Sequence, residues 1–159
     1  MSVITRDNDR AAARLAGVRD ALAAAGIGLP AQRVVERRYG IAAARDGLQR
    51  LLQASPAPTA VVCGNDVLAF GALLEAQRLG IEVPRQLSIV GFDDLDLASQ
   101  LQPALTTVHV PAEDMWRQAA DRVLALLRGE PQPAATEVEV SLVVRGSTGP
   151  VARRAARAG

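Results

Sequence analysis

Two stretches of this sequence limit what it can fold into. "AVVCGND" runs straight into "VLAFGALLEAQRLG" (residues 60–80), and "LSIVGF" runs straight into "DDLDLA" (residues 87–98). Each begins with a short apolar run rich in β-branched residues, too short for a helix, and stops on a pair of polar residues. The first pair, Asn65-Asp66, is followed by an apolar stretch of helical length that Gly80 ends in the C′ position. Buried strands that alternate with helices make an α/β fold with a mostly parallel sheet. Asn65-Asp66 and Asp93-Asp94 then fall at the carboxyl edge of that sheet, where open α/β folds take ligands at a topological switch point. The residues alone leave a second reading of the first pair: Asn and Asp are both favoured N-caps, and one of them closes the helix.

The rest of the chain keeps the alternation. "NDRAAARLAGVRDALAAAG" has cap candidates from Asp7 to Asp9, Leu15, Val18 and Leu22 at helical spacing, and a stop at Gly26. "RVVERRYG" holds a short strand from Val34 to Glu36, and "IAAARDGLQRLLQ" sets Ala44, Leu48, Leu51 and Leu52 on one helix face. "LTTVHV" predicts another strand. A helix entered through Pro111 follows, with Trp116, Ala119, Ala120, Val123, Leu124 and Leu127 facing inward and Gly129 ending it. In "TEVEVSLVV", Val138, Val140 and Leu142 alternate with Glu137, Glu139 and Ser141, the pattern of a strand near a sheet edge with one wet face. The first helix should follow a strand of its own, yet "SVIT" supplies only a few residues, so the fold reads as truncated at its N-terminus.

Composition narrows the functions. The 159 residues, 49% hydrophobic and 22% charged, suffice for one domain with a real core. With 3% aromatic residues, that core is built from Ala, Val and Leu. A formal net charge of +1 gives no general field for nucleic acid. The one basic cluster, Arg153, Arg154 and Arg157, lies in a segment (151–159) that reads as a disordered, solvated tail beyond a domain at 1–150. No apolar run approaches the ~20 residues of a membrane span, and the first ten residues lack the order of a signal peptide, so the expectation is a soluble, cytoplasmic protein with no membrane partner. Cys63 is the sole cysteine, inside an apolar run, and reads as a small buried hydrophobe. His109, the sole histidine, lies in an apolar strand pattern and reads as structural. Asp93 and Asp94 are adjacent, so on a strand they would point to opposite faces and make a poor carboxylate dyad. With no metal cluster, nucleophile and base pair, or phosphate loop in view, neither an enzyme nor a cofactor is expected.

Three segments together, "PTAVVCGNDVLAFGALLEAQRLGIEVPRQLSIVGFDDLDLA", "LQPALTTVHVPAEDM" and "LVVRGSTGP", resemble the lactose/galactose repressor (LacI/GalR) family of bacterial transcription regulators. The resemblance implies a partial periplasmic-binding-protein-like (type I) fold. It corresponds mostly to the second of two α/β subdomains, with the final segment returning to the first and a small, sugar-like effector held between them. It also implies a homodimer that reaches operator DNA only through a helix-turn-helix head absent from these residues. Matching the family residue by residue assigns the effector to Arg14, Tyr39, Asn65 and Asp93 and leaves Asp66 as the helix cap. These types suit sugar chemistry: Asp93 accepts from hydroxyls, Asn65 accepts and donates, Arg14 donates in a fixed fork, and Tyr39 packs an aromatic face. The helix after Asn65 is apolar on several sides, more than one sheet can cover, and the family's matching helix lies at the dimer interface. Phe70, Leu74 and Leu101 are therefore expected there. A solute-binding protein of a sugar transport system, with the same fold, is the alternative.

Overall fold

The computed structural model describes residues 1–5, 9–133 and 135–150; the cap candidates Asp7 and Asn8 and the tail at 151–159 lie outside the described residues. Four short strands, β1 (Ser2–Thr5), β2 (Val34–Glu36), β3 (Ala60–Cys63) and β4 (Ser88–Val90), form a parallel sheet in the order β2-β1-β3-β4. Val3 sits between Val34 and Val62, and Val62 pairs with Val90, which fixes the register across all four. "SVIT" is therefore a central strand, paired on both sides. Four residues suffice because both neighbours pair with them and all four are buried.

Between the strands run α1 (Asp9–Ala24), α2 (Ile41–Leu52) and α3 (Asp66–Arg78). The pleat sends alternate side chains to opposite faces. Ile4, Val61, Cys63 and Ile89, each at most 1% exposed, share a core with Ala44, Leu48, Leu68 and Leu73 of α2 and α3. Val3, Val62 and Val90 point the other way and border, with Leu15 and Val18 of α1, a cleft of about 310 Å³. Burial pushes the Cys63 thiol far above its usual range, so Cys63 behaves as an inert apolar residue. Helices α2 and α3 approach closely because Gly71 has no Cβ; one there would lie 2.5 Å from Ala44 Cβ and from the Ile41 carbonyl oxygen. The same pair is pinned by Glu75, whose buried carboxylate accepts from Arg78 Nη2 (2.6 Å), Gln49 Nε2 (2.5 Å) and Arg45 Nε (2.9 Å). These donors, Arg78 first, hold the Glu75 carboxyl well below the usual range.

The remaining elements are α4 (Asp96–Gln100), β5 (Thr107–His109), α5 (Ala112–Leu127) and β6 (Ser141–Val143), with β5 and β6 antiparallel. β5 lies parallel beside the end of β4 and the turn after it: Gly91 N–H donates to the Thr106 carbonyl (2.9 Å) and Asp93 N–H to the Val108 carbonyl (3.0 Å). Ser147, from the "STGP" segment, stitches this junction, its hydroxyl donating to the Ile89 carbonyl (2.6 Å) and accepting from Thr106 N–H (2.8 Å). Two expectations fail here. Only Ser141–Val143 of "TEVEVSLVV" is a strand, because β5 offers just three partners. In α5 only Ala125 is buried, while Trp116 and Leu127 are 76% and 79% exposed and Ala119, Ala120, Val123 and Leu124 are exposed as well. Among the described residues no strand or helix packs extensively against α5, so its apolar stripe stays uncovered.

Candidate ligand-binding site

The chain passes from β1 outward to β2 and then back to β3 on the other side of β1, so the switch point of the sheet lies between the carboxyl ends of β1 and β3. A cleft of about 210 Å³ opens there, lined by Arg10, Ala11, Arg14, Tyr39, Gly64, Asn65 and Asp93. Arg14, Tyr39, Asn65 and Asp93, the four residues singled out from the sequence, thus share one cleft although they come from four separate strand-to-helix junctions.

Arg14 is held on three sides. Its Nη1 donates to the Gly64 carbonyl (2.5 Å), its Nη2 lies 3.5 Å from Asp93 Oδ1, and its guanidinium carbon stacks 3.7 Å from the centre of the Phe92 ring. Partial burial lowers its pKa and Asp93 raises it; an arginine stays charged through such shifts. Asp93 sits shortly after β4 with φ of 116° and Asp94 with φ of 56°, two consecutive non-glycine residues in the left-handed half of the map. Their side chains part. Asp93 lines the cleft, whereas Asp94 accepts from Arg145 Nη2 (2.7 Å) and lies 3.0 Å from His109 Nδ1. Burial pushes the Asp93 carboxyl above the usual range, against the opposing pull of Arg14.

The helix-cap role expected of Asp66 falls to Asn65, which also lines the cleft. Asn65 is the N-cap of α3: its Oδ1 accepts from Leu68 N–H (2.9 Å), which leaves its amide nitrogen and one lone pair of Oδ1. Asp66 is fully buried and joins three segments. Its Oδ1 accepts from Thr107 Oγ1 (2.5 Å), its Oδ2 from Leu95 N–H (2.8 Å), and its own N–H donates to the Phe92 carbonyl (2.8 Å). Burial pushes its carboxyl pKa up, against these hydrogen bonds. Gly91 is required beside it, since a Cβ there would run into Asp66 Oδ1. His109 ends β5, and its side chain is half-exposed against Asp94. Arg10 and Phe92 are not singled out by the sequence pattern. Arg10 carries a usable signal all the same, being one helical turn before Arg14 on the same face of α1.

Phe70, Leu74 and Leu101 border a separate apolar groove of about 190 Å³, with Ile41, Leu97 and Pro103. Phe70 is its floor, 5% exposed and part of the chain's own core, while Leu74 is 44% exposed at the rim. Among the described residues no helix is long and apolar enough to cross a membrane, and no cluster of His, Cys, Asp or Glu could hold a metal ion.

Comparison with known proteins gives a consistent picture. A family model described as a periplasmic binding protein-like domain matches residues 2–148. The HTH-type transcriptional repressor CytR of Escherichia coli (strain K12) is 37% identical over 136 residues, 85% of this chain and 40% of that protein. The structure of the regulator CelR in complex with cellobiose superposes with a TM-score of 0.85 at 30% identity, over 92% of this chain and 46% of that one. The lac repressor dimer bound to operator and the anti-inducer ONPF gives 0.85 at 28% identity, over 92% and 51%. The chain spans about two fifths of the length of the curated relatives it matches. Those relatives are HTH-type transcriptional repressors.

Proposed function

The chain belongs to the family of periplasmic binding protein-like domains, and from that premise we propose that it is the effector-sensing and dimerising part of a LacI/GalR-type transcription regulator that works in the cytoplasm. The observation that carries the reading is the convergence of Arg14, Tyr39, Asn65 and Asp93 on one cleft at the switch point of the sheet. A carboxylate, a fixed guanidinium, an amide and an aromatic ring make the donor and acceptor set that a sugar-like ligand needs. At about 210 Å³ the cleft is smaller than the roughly 300–1,000 Å³ of ordinary small-molecule pockets. It therefore forms one wall of a site, in keeping with an effector gripped between two subdomains.

Such a ligand acts by binding one arrangement of the subdomains better than the other, and so biases the spacing of two DNA-binding heads outside these residues. No bond is made or broken. The groove at Phe70, Leu74 and Leu101 is the surface assigned to the homodimer. The test is a thermal-shift screen of this chain against neutral, acidic and phosphorylated sugars and nucleosides, repeated with Asp93→Asn. A stabilising compound whose effect Asp93→Asn removes supports the reading; stabilisation indifferent to Asp93 and Arg14 variants refutes it.

A further inference from the structure

Charge in the cleft does not balance. Among the described residues two guanidiniums line it, Arg10 and Arg14, against one carboxylate, that of Asp93. The neighbouring carboxylates are committed elsewhere, Asp66 to Thr107 and Leu95, Asp94 to Arg145 and His109. Arg14 is itself occupied by the Gly64 carbonyl, Asp93 and the Phe92 ring. Arg10 stands exposed at the rim and, among the described residues, forms no ion pair. The N-terminal ends of α1, α2 and α3 also meet the cleft, through Ala11, Tyr39 and Asn65, and add their partial positive charge.

Taking the cleft as the effector site, as proposed above, the geometry points to an effector that carries an anionic oxygen group on a polyhydroxylated body, a sugar acid or sugar phosphate, with Arg10 as the residue that selects the charge. Asp93 and Asn65 address the hydroxyls, and the planar fork of Arg10 pairs with the carboxylate or phosphate. A neutral sugar offers Arg10 only hydroxyl acceptors, which pair with it more weakly than an anion does. One charge-assisted contact corresponds to about a tenfold to hundredfold gain in affinity.

Glucose, glucuronate and glucose 6-phosphate share one ring and differ only at the terminal carbon. Each is titrated into the isotope-labelled full chain, beside inorganic phosphate, and followed by NMR through the arginine Nε–H and Asn65 amide signals. The two sugar anions are expected to move the signals of Arg10, Arg14 and Asn65 at concentrations at least about tenfold below glucose. Arg10→Gln should abolish that advantage, and Arg10→Lys should restore part of it. The stronger of the uronate and phosphate arms identifies the anionic group. Equal affinity for glucose and its anions, an unaffected Arg10→Gln, or inorganic phosphate binding as tightly as the sugar anions overturns the inference. In those cases a response of Arg14 and Asn65 to glucose leaves the effector-site reading intact. Cleft signals silent to all four probes overturn both.

Discussion

Asp66→Ala tests the architecture beneath the cleft. Removing the carboxylate leaves Thr107 Oγ1–H and Leu95 N–H buried without their acceptor. Each orphaned group costs roughly 1–3 kcal/mol, partly offset by no longer burying a charge that the protein disfavours, so the net loss should be about 3 kcal/mol. That is a large part of the roughly 5–15 kcal/mol that holds a typical domain together. With a urea dependence of about 1.5 kcal/mol/M, the unfolding midpoint should fall by about 2 M. Asp66→Asn should cost only about 1 kcal/mol, because the carboxamide oxygen can accept from Leu95 N–H while its nitrogen donates to Thr107 Oγ1, which is able to accept. Thr107→Val should cost less in the Asp66→Ala background than alone, since the shared bond is already gone. Equal midpoints for Asp66→Ala and wild type, or equal losses for the Ala and Asn variants, would refute the reasoning.

Three further outcomes follow from the same geometry. Asp93→Asn should weaken binding of a sugar ligand about tenfold to a hundredfold in calorimetric titration while leaving the thermal melt nearly unchanged, because the side chain lines a cleft and not the core; a large fall in melting temperature would make it structural instead. Leu74→Asp should weaken self-association in sedimentation without loss of fold, whereas Phe70→Asp should unfold the chain, since Phe70 is buried in its own core; unchanged sedimentation of Leu74→Asp would remove the groove from the interface. The Glu75 carboxyl titrates below its ordinary 4.5, so its contribution is present above that pH and lost as pH falls below it. Glu75→Gln should therefore show a flatter acid limb in urea melts at graded pH, and equal acid slopes would count against the buried cluster.

What can be read from the sequence is local. Strand-to-helix junctions are visible because apolar runs stop abruptly at polar pairs, and that alone locates Asn65 and Asp93 at the carboxyl edge of the sheet. That Asn65 and not Asp66 caps α3 is not visible. Both residue types cap helices, and the choice is made by Thr107 and Leu95, 41 and 29 positions away. The face of α5 shows the complementary limit: periodicity reports that Trp116, Leu124 and Leu127 form a stripe, but not whether anything covers it. "SVIT" reads poorly as a strand because four residues carry little pattern, whereas pairing on both sides is a property of the sheet.

The strained pair Asp93-Asp94 links the cleft to the rest of the molecule. Backbone in the left-handed half of the map persists at two consecutive aspartates only where surrounding contacts over-determine it. Here Asp93 N–H is bonded to the Val108 carbonyl, and Asp94 is bonded to Arg145 after β6 and to His109 on β5. Arg145 in turn donates to the Leu105 carbonyl (2.9 Å), so the two strands that leave the parallel sheet are tied to the turn from both sides. A ligand that shifts a two-state equilibrium must contact the two states differently. A hydroxyl drawn to Asp93 competes with Arg14 at 3.5 Å, and any displacement of that carboxylate is imposed on a turn whose next residue grips β5 and the chain beyond β6. The adjacency that makes Asp93 and Asp94 unsuitable as a catalytic dyad thus gives them separate surroundings, Asp93 on the cleft and Asp94 on β5 and the chain beyond β6.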